Sequence, residues 1–328
     1  MKYTAYFDSG TSNSRIYLLD DELKVLYTEK KNIGSKDSSV AGTNRVLIEG
    51  LYELYTDMLK KNGLNDSDIE TIYASGMITS PYGLHEVPHL AIPTTVENFK
   101  NNIYPHFEDV LFHRHIHLIL GLKTEAEEMA DVGNMRGEEI EIIGCLDEIK
   151  RRYGDKKVAL IMPGSHTHTT LVQGDNVLSI LSQMTGELFY AIGASTVLSA
   201  VLSGKDFPEL DMDMLRKGQA DLKKYGFTRA IYICHAMRIF SRGTELQRFS
   251  YGEGVVNGDF ETALSSFCAE KPLWQGCETA AIVSEKFMFE LYKEILKTSP
   301  VIKEVDWIPI EKENPFTVRG LRKILSYK

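Results

Sequence analysis

The feature that most constrains this chain is its opening. An apolar run, residues 3–7, ends in Asp8-Ser9-Gly10-Thr11-Ser12-Asn13-Ser14-Arg15, and a second apolar stretch, residues 16–19, follows at once. Aromatic and β-branched residues on both sides predict two strands joined by a tight turn of small polar residues. A carboxylate closes the first strand. Gly10 lets the backbone approach an anion. Thr11, Ser12 and Asn13 bring hydroxyl, amide and N–H donors, and Asp8 can hold a hydrated Mg²⁺ or take a proton. A β-hairpin with a merely polar turn would show the same local pattern.

The pattern returns later. Residues 158–162 predict a short apolar strand that runs into Pro163-Gly164-Ser165-His166. Residues 167–172 and 177–181 predict strands joined by Gly174-Asp175-Asn176. Strand, polar Gly turn, strand, turn, strand therefore occurs twice, because residues 25–28 complete the first set after Asp20-Asp21. Little identity is shared, so the order of elements carries the comparison. Two Gly turns at the ends of facing sheets would hold phosphates from opposite sides of a cleft. His166 would then donate to a phosphate or a substrate carboxylate; an ordinary turn histidine is the alternative. The expected fold class is α/β, with a duplicated strand-strand-strand-helix core and a cleft between two domains, 1–136 and 137–328.

With 328 residues, 43% apolar and 25% charged, the chain can bury a sizeable core. A net charge of −9 argues against nucleic acid or an anionic membrane surface as the main partner. No apolar run reaches the length of a membrane span. Four cysteines, Cys145, Cys234, Cys268 and Cys277, form no CxxC pair, which predicts reduced thiols and a cytoplasmic setting. Helical spacing predicts helices over residues 44–62, 137–153, 187–202, 210–225, 229–240, 261–269, 280–296 and 316–325. Further strands are expected at 69–74, 116–120, 272–275 and 302–308, and a loop at 125–134.

Three junctions carry further chemistry. Met135-Arg136-Gly137-Glu138-Glu139 opens a helix. Its carboxylates suit the helix dipole, which is reason enough for them to be there. Arg136 can also clamp an anion bidentately, and one Glu can take a proton from an attacking hydroxyl. Met184-Thr185-Gly186-Glu187 reads as a strand-to-helix junction with a capping Thr. Gly276-Cys277-Glu278-Thr279 reads as another, whose helix N-terminus would receive an anion.

Taken in order, these pieces resemble the 2-dehydro-3-deoxygalactonokinase family, sugar-acid kinases of the actin-like ATPase superfamily. The matching stretches are residues 8–15, Ala74-Ser75-Gly76-Met77, residues 87–93, Gly121-Leu122, residues 135–139, Met162-Pro163-Gly164-Ser165-His166 and residues 184–188. The resemblance implies an ATP-dependent kinase that phosphorylates the terminal hydroxyl of 2-dehydro-3-deoxygalactonate or a related sugar acid. It implies ATP and Mg²⁺ as cofactors, with Mg²⁺ near Asp8. Gly10, Thr11, Ser12, Asn13, Arg15, Gly164, Ser165 and Gly276 would hold nucleotide phosphate. His166, Thr185, Gly186 and Glu187 would bind the sugar acid. Glu138 is expected as the base, with Asp8 as its rival and Arg136 beside them. A homodimer is compatible with the sequence.

Two departures stand out. At the family's late Gly-Thr-Ser turn this chain carries Gly276-Cys277-Glu278, and His168 stands where the family has Lys. A carboxylate repels phosphate unless a cation intervenes, and a histidine is mostly neutral near pH 7. These two residues motivate an alternative, a non-catalytic sugar-acid sensor with a degraded nucleotide site. An actin-like ATPase or phosphatase with no sugar acceptor is a third reading.

Overall fold

The computed structural model describes residues 2–204 and 206–327. The chain divides into two compact units, Met1–Gly154 with Gly174–Val177 and Glu311–Lys328, and Asp155–Gln173 with Leu178–Ile310. The expected boundary after residue 136 does not coincide with this division.

The first unit opens with β1 (Tyr3–Ser9), β2 (Ser14–Leu19) and β3 (Val25–Lys31), followed by α1 (Ser35–Ala41) and α2 (Arg45–Lys61). Next come β4 (Ile69–Gly76), β5 (Leu90–Ile92), β6 (Thr94–Thr95), α3 (Val96–Asn101), β7 (Tyr104–Glu108), β8 (Arg114–Leu118), β9 (Leu122–Thr124), β10 (Asn134–Met135) and α4 (Glu138–Tyr153). Its main sheet has the order β3-β2-β1-β4-β8-β7, with β1 parallel to β4 and β4 parallel to β8. Ala5, Tyr6 and Phe7 are all fully buried, the mark of a central strand covered on both faces. Helix α2 packs on this sheet through Leu47, Leu51, Leu54, Tyr55 and Met58, a stripe at helical spacing. It stops at Asn62, and Gly63 follows with φ +64°.

The second unit contains β11 (Lys157–Met162), β12 (Thr167–Gln173) and most of β13 (Asn176–Gln183). A helical series follows: α5 (Gly186–Ser195), α6 (Ser199–Leu202), α7 (Met212–Tyr225), α8 (Phe227–Ile239), α9 (Glu245–Val256) and α10 (Phe260–Glu270). The unit closes with β14 (Thr279–Ser284), α11 (Lys286–Leu296) and β15 (Glu304–Pro309). The strands lie in the order β15-β14-β11-β12-β13, with β11 antiparallel to β12 and parallel to β14. Read outward from β11, this is the order of the first unit read outward from β1. The duplication expected from the two Gly turns is therefore present in the sheet topology.

The last helix, α12 (Phe316–Ser326), belongs to the first unit, where it packs on α4. A Cβ on Gly144 would lie 2.1 Å from the Phe316 carbonyl, and one on Gly320 would lie 1.9 Å from the Ile140 carbonyl. Bare backbone on both helices permits this contact, and it is why α4 groups with the N-terminal sheet rather than with the residues that follow it.

Three local expectations are corrected. Residues 280–296 are not one helix: 279–284 form β14, and the helix starts at Lys286. All six β14 residues are buried between parallel neighbours β11 and β15, and a short apolar run of this kind reads equally as strand or helix. Residues 272–275 form a turn rather than a strand; the Trp274 N–H donates to the Lys271 carbonyl, and the Cys277 N–H to the Trp274 carbonyl. The helix expected over 187–202 breaks between α5 and α6, where Thr196 Oγ1 donates back to the Ile192 carbonyl at 2.6 Å. All four cysteines are free and buried.

Candidate active site

In the first unit, the turn from Gly10 to Asn13 is closed by a hydrogen bond from the Gly10 N–H to the Asn13 carbonyl, 2.8 Å long. The entry to α1 pins it from outside, because the Ser35 and Lys36 N–H groups donate to the Gly10 and Thr11 carbonyls at 3.2 and 2.9 Å. From below, Ser9 and Ser14 share a hydrogen bond of 2.7 Å, and Ser14 Oγ donates to the Ile33 carbonyl. Thr11 and Ser12 stay exposed. Gly76, at the end of the neighbouring β4, has φ +88°, and a Cβ there would meet the Ser9 carbonyl at 2.5 Å. The turn is thus outward-facing, with its backbone bonded within itself and to the start of α1.

Asp8 sits at the end of β1 with Arg15 across the hairpin, 3.9 Å away. Burial pushes its carboxyl up, and Arg15 offsets part of that. The first turn of α4 brings Glu138, Glu139 and Glu141 to the same unit, an acidic start balanced by Lys150, Arg151 and Arg152 in the last turn. Glu139 is fully buried; its Oε2 accepts from the Gly137 N–H, and burial, then Glu138, raise its carboxyl well above the usual range. Glu141, which the sequence reading passed over, has its carboxyl pushed up to about 8 by burial and by the charges of Asp8 and Glu138. Helical spacing was the available signal, because Glu138 and Glu141 are three residues apart on one face. Glu138 is half-buried.

Arg136 does not present an open fork. Its Nη1 donates to the Thr79 carbonyl and to Thr79 Oγ1, both at 2.7 Å. Its Nη2 donates to the Val87 carbonyl at 2.7 Å and lies 3.3 Å from His89 Nδ1. The guanidinium ties the segments after β4 to the start of α4. His89 beside it is pushed down to about 4 by burial and by Arg136, so it stays neutral.

In the second unit, Gly164, Ser165 and His166 form an exposed turn at the end of β11. The Glu187 N–H donates to the Ser165 carbonyl at 2.8 Å, and a Cβ on Gly186 would lie 2.3 Å from the Gly164 carbonyl. The first turn is backed in the same way, since a Cβ on Gly34 would lie 2.4 Å from the Thr11 carbonyl, so each Gly turn has a second glycine against its carbonyls. His166 Nε2 lies 3.0 Å from Glu187 Oε2. The structure thus brings Gly164, Ser165, His166, Thr185, Gly186 and Glu187 together. Thr185 stands at the N-cap of α5, but its side chain makes no capping hydrogen bond.

Gly276 does not join them. Thr279 pairs with Val158 at the start of β11, so Gly276 precedes a strand rather than ending one. The turn at 163–166 lies past the other end of β11, about 13 Å away along the strand. The junction expected there is absent, and Glu278 is ion-paired with Lys303 on the exposed surface. His168 is 5% exposed on β12 and bonded through Nδ1 to Ser182 Oγ at 2.8 Å. Burial, then His166, push its ring down to about 4, so it is a neutral interior residue. Neither departure stands in the exposed turn, which removes the motive for the sensor reading.

Two sheets of the same strand order, each with a Gly turn after its first strand, define the actin-like ATPase architecture used by sugar kinases. A Sinorhizobium meliloti crystal structure described as a "putative 2-dehydro-3-deoxygalactonokinase protein" superposes with a TM-score of 0.75 at 19% identity, covering 98% of each chain. A reductive activator for a corrinoid, iron-sulfur protein matches at a TM-score of 0.50 and 12% identity, over 99% of this chain and 60% of its own. The sequence matches the 2-keto-3-deoxy-galactonokinase family over residues 8–324, and the chain belongs to that family. A Rhizobium meliloti relative, "Probable 2-dehydro-3-deoxygalactonokinase DgoK1", is 25% identical over 204 residues, 62% of this chain. That match spans 60% of the relative's length.

Proposed function

We propose that the protein transfers the γ-phosphoryl group of ATP to the terminal hydroxyl of 2-dehydro-3-deoxygalactonate or a close sugar acid. Family membership supports the reaction class. The observation that carries the reading is the shared construction of the two Gly turns, each exposed and each backed by a glycine at carbonyl-contact distance.

Phosphoryl transfer needs positioning and charge neutralisation more than covalent help. Gly10, Thr11, Ser12 and Asn13 in one unit, and Gly164 and Ser165 in the other, offer backbone and hydroxyl donors to phosphate oxygens. Arg15 adds positive charge beside Asp8. His166, Thr185, Gly186 and Glu187 would orient the sugar acid.

Bound Mg²⁺ would neutralise charge on the transferring phosphate. Asp8 offers it a hard oxygen ligand, and no group of three or more His, Cys, Asp or Glu among the described residues could hold a metal alone. The donor set therefore fits a cation that would arrive with the nucleotide and be held beside Asp8. Glu138, the half-buried carboxylate of the first α4 turn, would take the proton from the attacking hydroxyl, because Glu139 is sealed in and bonded to Gly137. Arg136 would serve by fixing that turn in place.

The test is ADP release from purified protein with Mg²⁺-ATP across a panel of 2-dehydro-3-deoxy sugar acids. Turnover of the galactonate, slowed at least about a hundredfold in Glu138→Gln, is expected. No turnover of any member of the panel overturns the reading. Among the described residues, no helix is long and apolar enough to cross a membrane. We place the protein in the cytoplasm on its reduced, buried thiols. A homodimer is the proposed assembly; sedimentation tests it.

A further inference from the structure

Behind the second Gly turn runs a line of buried polar groups that no turn motif announces. Thr185 Oγ1 lies 2.7 Å from Thr167 Oγ1, which lies 2.6 Å from the Tyr292 hydroxyl. Tyr292 is 3.2 Å from Asn257 Oδ1, and Asn257 Nδ2 is 2.7 Å from Glu253 Oε2. All five residues are buried. They come from the N-cap of α5, the start of β12, α11, the C-cap of α9 and its last turn.

The Glu253 end sets the direction of the whole line. Asn257 Nδ2 donates to the Glu253 backbone carbonyl, which can only accept, as well as to Oε2, and this leaves Oδ1 toward Tyr292. The Tyr292 hydroxyl must donate to that oxygen. Its own oxygen is then the acceptor for the Thr167 hydroxyl, and Thr167 oxygen the acceptor for Thr185. Thr185 turns its hydroxyl inward along this line and does not cap α5. Thr167 directly follows His166 and Thr185 directly precedes Gly186, so the line grips the chain on both sides of the Gly164–Gly186 contact.

We infer that Tyr292 is a positioning residue for nucleotide phosphate. It fastens Thr167 and Thr185 to a fixed anchor on α9, so that the donors of the turn are set before the ligand arrives. Preorganisation of this kind lowers the cost of binding without any contact to the ligand. The inference rests on the reading of residues 163–166 as a phosphate turn.

Tyr292→Phe tests it. The variant keeps the ring edge against Phe260, with centroids 4.8 Å apart, and loses only the hydroxyl. Its ATP KM should rise about tenfold, while kcat stays within about twofold. Thr167→Val should reproduce that loss, and Thr167→Ser should not. Tyr251→Phe is the control: it removes another fully buried hydroxyl of the same unit, bonded to Asp221 at 3.0 Å, and should leave the ATP KM unchanged. An ATP KM in Tyr292→Phe and Thr167→Val within about twofold of wild type overturns the inference, as does an equal rise in Tyr251→Phe. Calorimetry on the wild type separates the two layers. ATP binding by wild type with unchanged affinity in Tyr292→Phe refutes the positioning role alone; no binding by wild type refutes the phosphate turn and this role together.

Discussion

Arg136 donates twice to one residue, Thr79, through its carbonyl and its hydroxyl, both at 2.7 Å. Both bonds leave from Nη1, while the second nitrogen, Nη2, donates to the Val87 carbonyl; the single nitrogen of an ammonium does not reach both sites. Arg136→Lys should therefore cost roughly 1–2 kcal/mol of stability by urea denaturation, since the bond to Val87 is lost. A variant as stable as wild type would mean that the fork is dispensable to the fold.

Gly186 admits no side chain. With a Cβ 2.3 Å from the Gly164 carbonyl, Gly186→Ala must push the 163–166 turn aside. We expect a stability loss of roughly 1–3 kcal/mol and an ATP KM at least about tenfold higher. Gly63→Ala is the contrast: its φ of +64° is strained, but nothing lies within 4 Å, so stability falls and the ATP KM does not move.

Glu253 gives a pH signature. Burial pushes its carboxyl up to about 8 from 4.5, and Asn257 only partly counters this. The folded state then holds a proton that the unfolded state has released, so this contribution is fully present below pH 4.5 and is lost as pH rises to about 8. Glu253→Gln keeps an acceptor for Asn257 and removes the titration. Its stability relative to wild type should improve steadily from pH 5 to pH 8 (about the span of the shift) in urea titrations. A difference that does not change with pH would show that Glu253 is ionised in the fold.

Glu278 should be silent. It is exposed, paired with Lys303 and at the far end of β11 from the phosphate turn. Glu278→Ala should change stability by less than about 1 kcal/mol and leave the ATP KM unaltered. A fall in ATP KM would restore it to the nucleotide's surroundings.

The outline of the fold was legible because its signals are local. The turn at residues 8–15 and its counterpart at 163–166 announce two matching sheets, and α2 is visible in a single apolar stripe. β14 was not legible, since Thr279 to Ser284 is buried at every position and its unbroken apolar run, Ala280 to Val283, has no period to read. Together with the strand expected at 272–275, that error displaced Gly276 from a strand's start to a strand's end. The site was half legible. Asp8 and the Gly turns carry their chemistry in sequence order, whereas Tyr292, Asn257 and Glu253 meet Thr167 only through packing. Arg136 shows the opposite limit, because its type suggests an anion clamp and its neighbours consume it.

The grip of α12 on α4 has a consequence for how the chain comes to be folded. The first unit cannot be assembled from a contiguous stretch. Its sheet and α4 are complete by residue 154, yet one flank of α4 is covered only by residues beyond 310. The second unit is thus inserted within the first, interrupted only by Gly174–Val177. Until that insertion has collapsed and brought its two ends near each other, closing the first unit carries the entropy of a very long loop. Emergence of the amino-terminal half should leave it unfinished, and the order of events should run from the inserted unit outward.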